Sequence, residues 1–147
     1  GSHSYAHKAF TNDCFGLPSL EDTEKIQDLG TSQFMLQKFT GVKTKLFRFP
    51  GGCYKIKDLD LLKKAGMTAI QWDVVANDGF NPNPEIIINN VVSNTRNGSI
   101  IVMHMNGFPN EPVDYIAVPQ IVKILREKGF EFVTVSTLLN SYDIINK

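Results

Sequence analysis

The sequence predicts an α/β fold with a parallel sheet, and three observations predict it. Short apolar runs alternate with amphipathic stretches along nearly all of the 147 residues. The amphipathic stretches carry helix punctuation, with proline or a capping side chain at the start and glycine at the end. The apolar runs at 44–49, 67–73, 99–105 and 130–136 are separated by stretches long enough to hold a helix, and strands joined that way run parallel. The expected product is a doubly wound open sheet or part of a βα-barrel. The length is enough for one domain, 1–147, with a real core.

Each element has its local reason. "TNDCFGLP" reads as a loop. "SLEDTEKIQDLGTSQFMLQKFTG" reads as a long helix, with Ser19 as N-cap, Asp22 three residues on, and Ile26, Leu29, Leu36 and Phe39 as its apolar stripe. Gly30 inside it costs about 1 kcal/mol relative to alanine, which points to a kink or a close contact. Gly41 ends it. "TKLFRF" is a strand broken by "PGG", and "KDLDLLKKAG" is a helix that ends in lysines and Gly66. "MTAIQWD" is a strand and "NDGFNPNP" a loop. Asn83 caps a helix whose first residue is Pro84 and whose inner face holds Ile87 and Val91. "SIIVMHM" is a nearly continuous apolar strand of the type buried on both faces. The loop "NGFPNEP" leads to the helix "VPQIVKILREKG", with Ile121 and Leu125 inward, then to a last strand "FEFVTVS" and a short helix "TLLNSYDII".

Composition excludes some partners. Lysine plus arginine equals aspartate plus glutamate at fifteen each, without a basic stripe, so nucleic acid is not expected. No apolar run approaches the roughly eighteen residues needed to span a bilayer. No signal peptide stands at the start. Two cysteines, Cys14 and Cys53, form no CxxC pattern, and whether they pair is left open.

The chemistry-bearing residues fall at strand ends. In βα folds the reactive side chains come from the C-terminal ends of strands and the loops after them. Arg48 ends "KLFR", Asp73 ends "MTAIQW", Asp78 follows in its loop, and His104 ends "SIIVMH". The chain has three histidines, and the other two, His3 and His7, stand four apart in "HSYAH". On a helical turn that spacing lets both rings share one metal ion, and an open catalytic site then needs a third ligand. His104 suits proton transfer near neutral pH, the alternative being a core histidine hydrogen-bonded at a strand end. Arg48 either makes a salt bridge at a turn or holds a carboxylate ionised, and the glycines after it let a backbone N–H approach an oxyanion. The aspartates of "QWDVVAND" either shape a turn or orient His104.

Taken in order, these motifs resemble the polysaccharide deacetylase family, the NodB-homology domain of carbohydrate esterase family 4. "HSYAH" is similar to its H-S/T-x-x-H motif, "RFPGG" to R-P-P-Y-G, "WDVVAND" to its fourth motif, "IIVMH" to Leu-x-His, and "LREKGFEFVTVSTLL" to its ending. The resemblance implies a distorted (β/α) barrel, here incomplete at the N-terminus. It implies metal-dependent hydrolysis of the acetamide on an N-acetylated glycan, chitin-like or peptidoglycan. His3 and His7 would hold the divalent ion, normally Zn2+, with a first-motif aspartate. Arg48 would hold the base, a second such aspartate. The Gly51 N–H would help bind the oxyanion, and Val102 would line the pocket for the acetyl methyl. Trp72 and Phe80 would touch substrate. His104, tuned by Asp78, would protonate the leaving amine.

Three departures accompany the resemblance. The first motif, roughly T-F-D-D, is absent from the sequence, so a missing N-terminal segment or another chain is expected to complete the site. The fourth-motif tryptophan falls on Gly79, and the earlier aspartate of that motif falls on Val75. The alternatives are an inactive, glycan-binding relative and a hydrolase of another non-peptide C–N bond. An extracytoplasmic location, secreted or in the cell envelope, follows from the resemblance.

Overall fold

The computed structural model describes residues 1–105 and 113–145. Contacts divide the chain into two compact units, Gly1–Gln71 and Trp72–Lys147. The loop expected at 106–112 lies outside the described residues.

The first unit holds α1 (Asp22–Thr40), β1 (Leu46–Phe47), a single 3-10 turn (Pro50–Gly52), α2 (Ile56–Lys64) and β2 (Thr68–Ala69). β1 and β2 pair in parallel, Leu46 opposite Thr68 and Phe47 opposite Ala69, with α2 as the crossover. Ser2 bridges Phe47 on the other edge of β1. Its N–H donates to the Leu46 carbonyl at 2.7 Å, and the Arg48 N–H donates back to the Ser2 carbonyl at 2.9 Å. That bridge brings the histidine-bearing N-terminal segment to the edge of the sheet.

Aromatic packing fills this unit. Phe10, Phe47 and Phe49 are fully buried and meet edge to face, with centroids 5.0 to 5.6 Å apart. The negative ring faces receive the positive edges, so the triad gains beyond its buried area. Phe49→Ala is expected to lower unfolding free energy by about 3–5 kcal/mol. A urea titration reads this as a lower midpoint; a loss near zero would show that the cluster collapses around the gap.

α1 buries only part of the predicted stripe: Leu29 is inward and Leu36 half-buried, as expected, but the rest of the buried face is polar. Ile26 and Phe39 are 64% and 75% exposed, while Lys25, Asp28, Leu29 and Ser32 are buried. Three of those four are polar, and each has a partner. Lys25 Nζ donates to Asp58 Oδ1 at 2.9 Å, Asp28 accepts backbone N–H groups, and the Ser32 hydroxyl meets that of Ser2 at 2.5 Å. A buried polar face is stable once its groups are hydrogen-bonded, and apolar periodicity cannot register it. The helix also starts later than predicted, with Glu21 as N-cap rather than Ser19; the Glu21 N–H donates to the Glu24 carboxylate at 2.8 Å. Gly30 is exposed with open space around it, so it serves no close contact. Gly41 closes the helix at φ 72.

The second unit holds β3 (Val74–Val75), α3 (Pro84–Asn94), β4 (Ile101–Val102), α4 (Asp114–Glu127) and α5 (Val135–Ile145). β3 and β4 pair in parallel, Val74 opposite Ile101 and Val75 opposite Val102. α3 and α4 pack together over Val74, Ala76, Ile87, Val91, Ala117, Ile121 and Leu125. Asn83 caps α3 as expected, its Oδ1 accepting from the Glu85 N–H at 2.9 Å.

Three predicted elements change here. Of the run 67–73 only β2, Thr68–Ala69, is strand, and a separate β3 with a different partner begins just beyond it at Val74. α4 starts at Asp114, before the predicted Val118, and carries Pro119 inside. The last strand does not form: 130–134 has no ladder among the described residues, and α5 begins at Val135. Thr134 Oγ1 accepts from the Thr137 N–H at 3.1 Å, and this cap starts a helix where β-branched residues suggested a strand.

The chain is thus α/β with parallel strands. Among the described residues the strands form two two-stranded ladders and no closed sheet. No helix among them is long and apolar enough to cross a membrane.

Candidate functional site

His3 and His7 lie on a loop and not on the helical turn their spacing suggested. Ser4 and His7 take positive φ, 69 and 53, which reverses the chain between the rings. Buried Asp28 pins that reversal: its carboxylate accepts the N–H of Tyr5 at 3.1 Å and of Ala6 at 2.9 Å. The two imidazoles end up with centroids 5.0 Å apart, edge to face at 68°.

The His3 tautomer follows from its partner. Nδ1 is 2.7 Å from the Arg48 carbonyl oxygen, which can only accept, so Nδ1 carries the proton. In the neutral ring the lone pair is then on Nε2, the state a metal-ligating histidine takes with its other nitrogen bound to a carbonyl. A pair of neutral imidazoles can supply two of the four ligands of a zinc ion. Among the described residues no group of three or more His, Cys, Asp or Glu gathers to complete one.

Arg48 follows β1 directly, and burial pushes its guanidinium down from the ordinary arginine value. The next residues form the 3-10 turn, locked by a Cys14–Cys53 disulfide with Cα atoms 6.0 Å apart. That settles the pairing left open by the sequence. Gly51 has φ 62, and a Cβ there would stand 2.3 Å from Cys14 Sγ. The disulfide therefore occupies the space a larger residue would need, which is why glycine stands at this place.

The second unit holds a hydrogen-bonded dyad. The parallel pairing of β3 with β4 sets their C-terminal ends side by side, Ala76 N–H donating to the Val102 carbonyl at 3.2 Å. The chain then turns through Asn77 at φ 67 and delivers Asp78 to His104. Asp78 Oδ1 lies 3.1 Å from His104 Nδ1, and Oδ2 accepts the His104 backbone N–H. The Asp78 side chain is 1% exposed and that of His104 53%. Nδ1–H thus points at a buried carboxylate, and Nε2 is left for proton transfer. Gly79 packs on the ring: a Cβ there would be 3.3 Å from Nδ1 and Cε1. Val102 is buried and Phe80 exposed.

Asp73 is not part of this dyad. It and Trp72 precede β3, whereas Asp78 and Phe80 follow it. Asp73 does not end a strand as predicted; its carboxylate binds the Ile100 N–H at 2.8 Å, the Ser99 hydroxyl at 3.0 Å and Arg96 at 3.2 Å. It is the turn-shaping aspartate of the two.

Sequence reasoning missed Asp114. It opens α4, and both its carboxyl oxygens are buried with no hydrogen-bond donor among the described residues. Burial first, then the neighbouring Asp78, push its carboxyl up to about 6, against a smaller pull from His104. Its one sequence signal, an acid before an amphipathic run, reads as an ordinary first-turn helix residue.

Parallel strands joined by helices, with a carboxylate–histidine dyad at the ends of one pair, define an α/β protein with acid–base equipment. A family profile described as polysaccharide deacetylase matches residues 1–70. A peptidoglycan-N-acetylglucosamine deacetylase of Bacillus cereus is 35% identical over 96 residues, spanning 64% of this chain and 45% of that protein. A solved peptidoglycan N-acetylglucosamine deacetylase, in complex with 4-naphthalen-1-yl-N-oxidanyl-benzamide, superposes with TM-score 0.81 at 26% identity over 94% of this chain and 61% of the other. A family 4 pseudoenzyme from Bacillus anthracis shares the fold, with TM-score 0.81 at 23% identity over 95% of this chain and 45% of the other. The chain is similar to polysaccharide deacetylases, by that profile over its first 70 residues and by these relatives. It spans less than half the length of the Bacillus cereus relative.

Proposed function

We propose that the full-length protein is a metal-dependent deacetylase that removes N-acetyl groups from N-acetylglucosamine-containing glycan, peptidoglycan or chitin-like. The observation that carries this reading is the Asp78–His104 dyad, built at the ends of paired parallel strands. Its support is the family and relatives named for peptidoglycan and chitooligosaccharide deacetylation.

His3 and His7 are the residues proposed to hold the ion. Zinc bound there would polarise the acetyl carbonyl and lower the pKa of a bound water. The chain covers 45% of the Bacillus cereus relative, and the remaining ligand and the base are proposed to come from a segment outside this chain or from another chain. That segment would also complete the distorted barrel. Arg48 holds the base carboxylate ionised. The Gly51 N–H faces the developing oxyanion, Val102 the acetyl methyl, and Trp72 and Phe80 the sugar. His104, with Nδ1–H held by Asp78, gives a proton from Nε2 to the departing amine. The disulfide fits an oxidising, extracytoplasmic compartment.

Amine release from N-acetylglucosamine oligomers and from peptidoglycan, with and without added zinc, tests the reading. Zinc-dependent release is expected; none from either substrate by zinc-loaded full-length protein overturns it. The ligand assignment has its own check. His3→Asn keeps an amide donor toward the Arg48 carbonyl, and His7→Asn tolerates a positive φ. Each is expected to weaken zinc binding, read by calorimetry, by at least about tenfold; unchanged affinity in both would remove the ion from this loop.

One observation favours a second reading, a glycan-binding relative without activity. No third ligand joins the histidine pair among the described residues. Glycan affinity without amine release, in zinc-loaded full-length protein, would select it.

A further inference from the structure

The deacetylase reading leaves one carboxyl without a task. Asp114 has both side-chain oxygens buried with no donor among the described residues. An ionised carboxylate enclosed that way loses its hydration and recovers nothing. Its neighbour makes ionisation harder still. Asp78 is deeply buried and already takes two hydrogen bonds from His104, so it is the one of the pair suited to carry the charge. Two adjacent carboxyls in such a site share one proton, because both cannot ionise together.

Among the described residues no other counter-charge acts on Asp114. Asp78 and His104 are the charged groups that act on Asp114. α3, which packs on α4, carries a single ionisable side chain, the exposed Glu85. On α4 itself Lys123 pairs with Glu127 at 3.0 Å, both exposed, and Arg126 lies in the last turn. The N-terminus of α4 favours an anion, and burial together with Asp78 outweighs it.

We propose that Asp114 is a positioning residue whose protonated carboxyl donates a hydrogen bond to Asp78, so that the two acids present a single negative charge to His104. Once Asp114 loses that proton, the pair carries two charges and binds the imidazolium more tightly, which makes His104 a weaker acid toward a leaving amine. This catalytic consequence rests on the deacetylase reading; the shared proton does not.

Infrared titration of the full-length protein with 13C-labelled aspartate tests it. A protonated-carboxyl band is expected to persist above the ordinary aspartate range and to disappear with a midpoint of about 6. The band should be missing in Asp114→Asn, whose amide still donates to Asp78 but never ionises. In Asp78→Asn its midpoint should fall, since the negative neighbour is gone. With activity, the inflection of kcat/KM near that pH should vanish in Asp114→Asn, an effect that loss of a merely structural contact would not produce. No band surviving above the ordinary range, or a band unchanged in Asp114→Asn, overturns the proposal. Should Asp114→Asn fail to fold, the wild-type and Asp78→Asn titrations decide it. The band behaving as expected in a protein that releases no amine supports the carboxyl pair and sinks the deacetylase reading alone.

Discussion

His104→Asn is expected to lower kcat of the full-length protein by about 10²–10⁴-fold, the range for loss of a general acid. The choice of asparagine isolates the chemistry. Its amide nitrogen stands close to where Nδ1 stands, so buried Asp78 keeps a donor, while the nitrogen that releases the proton is gone. The His104 side chain is about half exposed, and the substitution opens no core cavity. Thermal unfolding should therefore be nearly unchanged while the pH–rate profile loses one limb. A rate within a few-fold of wild type, with the fold intact, would assign proton delivery elsewhere. Asp78→Asn separates the charge from the hydrogen bond. It is expected to reduce kcat by about 10–100-fold, the usual effect of losing a supporting carboxylate.

Lys25→Ala is expected to destabilise the protein by about 3–5 kcal/mol, because it leaves a buried carboxylate without its counter-charge. Lys25 and Asp58 are 3% and 1% exposed. Asp58 also accepts the Lys55 N–H at 2.8 Å, and Lys25 Nζ reaches Asp22 at 2.8 Å and lies 5.7 Å from the centre of the Phe10 ring. Burial alone would push the Lys25 ammonium down; its hydrogen bonds to Asp22 and Asp58 outweigh that and hold it above the ordinary lysine value. Its contribution is therefore complete below the unfolded lysine pKa and is lost only in strong alkali, as pH rises through the raised value. Asp22 behaves oppositely. Hydrogen bonds from Lys25 and then Lys57 hold it at about 2, so what it adds is present above the ordinary aspartate value and fades as pH falls toward 2. Replacing the buried pair together, Lys25→Met with Asp58→Leu, is expected to cost only about 1 kcal/mol, since an apolar pair needs no desolvation and what is lost is the Asp58 bond to the Lys55 N–H. A urea titration of the three proteins checks this. A single-variant loss below about 1 kcal/mol would class the pair with exposed salt bridges.

The same pair shows where sequence reading fails. Lys25, Asp28 and Ser32 share the buried face with Leu29, but they are polar, so apolar periodicity alone turns the inner face toward Ile26 and Phe39, which are exposed. Only partners far along the chain, Asp58, the Tyr5–Ala6 N–H groups and Ser2, make that face buriable. At 130–136 a local signal competes with β-propensity, since Thr134 caps a helix, and among the described residues no ladder forms there. Elements whose signals are local and unopposed, such as Asn83–Pro84 opening α3 and Gly41 closing α1, were legible.

By itself the sequence determined the α/β order, the crossover helices, the resemblance to polysaccharide deacetylases and the residue types available for acid–base and ligand chemistry, because these depend on periodicity, punctuation and short motifs. The tertiary structure alone decided that His3 and His7 meet through a loop pinned by Asp28, that Cys14 joins Cys53 across Gly51, that Asp73 shapes a turn while Asp78 holds His104, and that Asp114 is buried next to Asp78. The reason is physical. Each of these depends on burial and on a partner distant in sequence, and a side chain's charge and hydrogen bonds are set by what surrounds it in space.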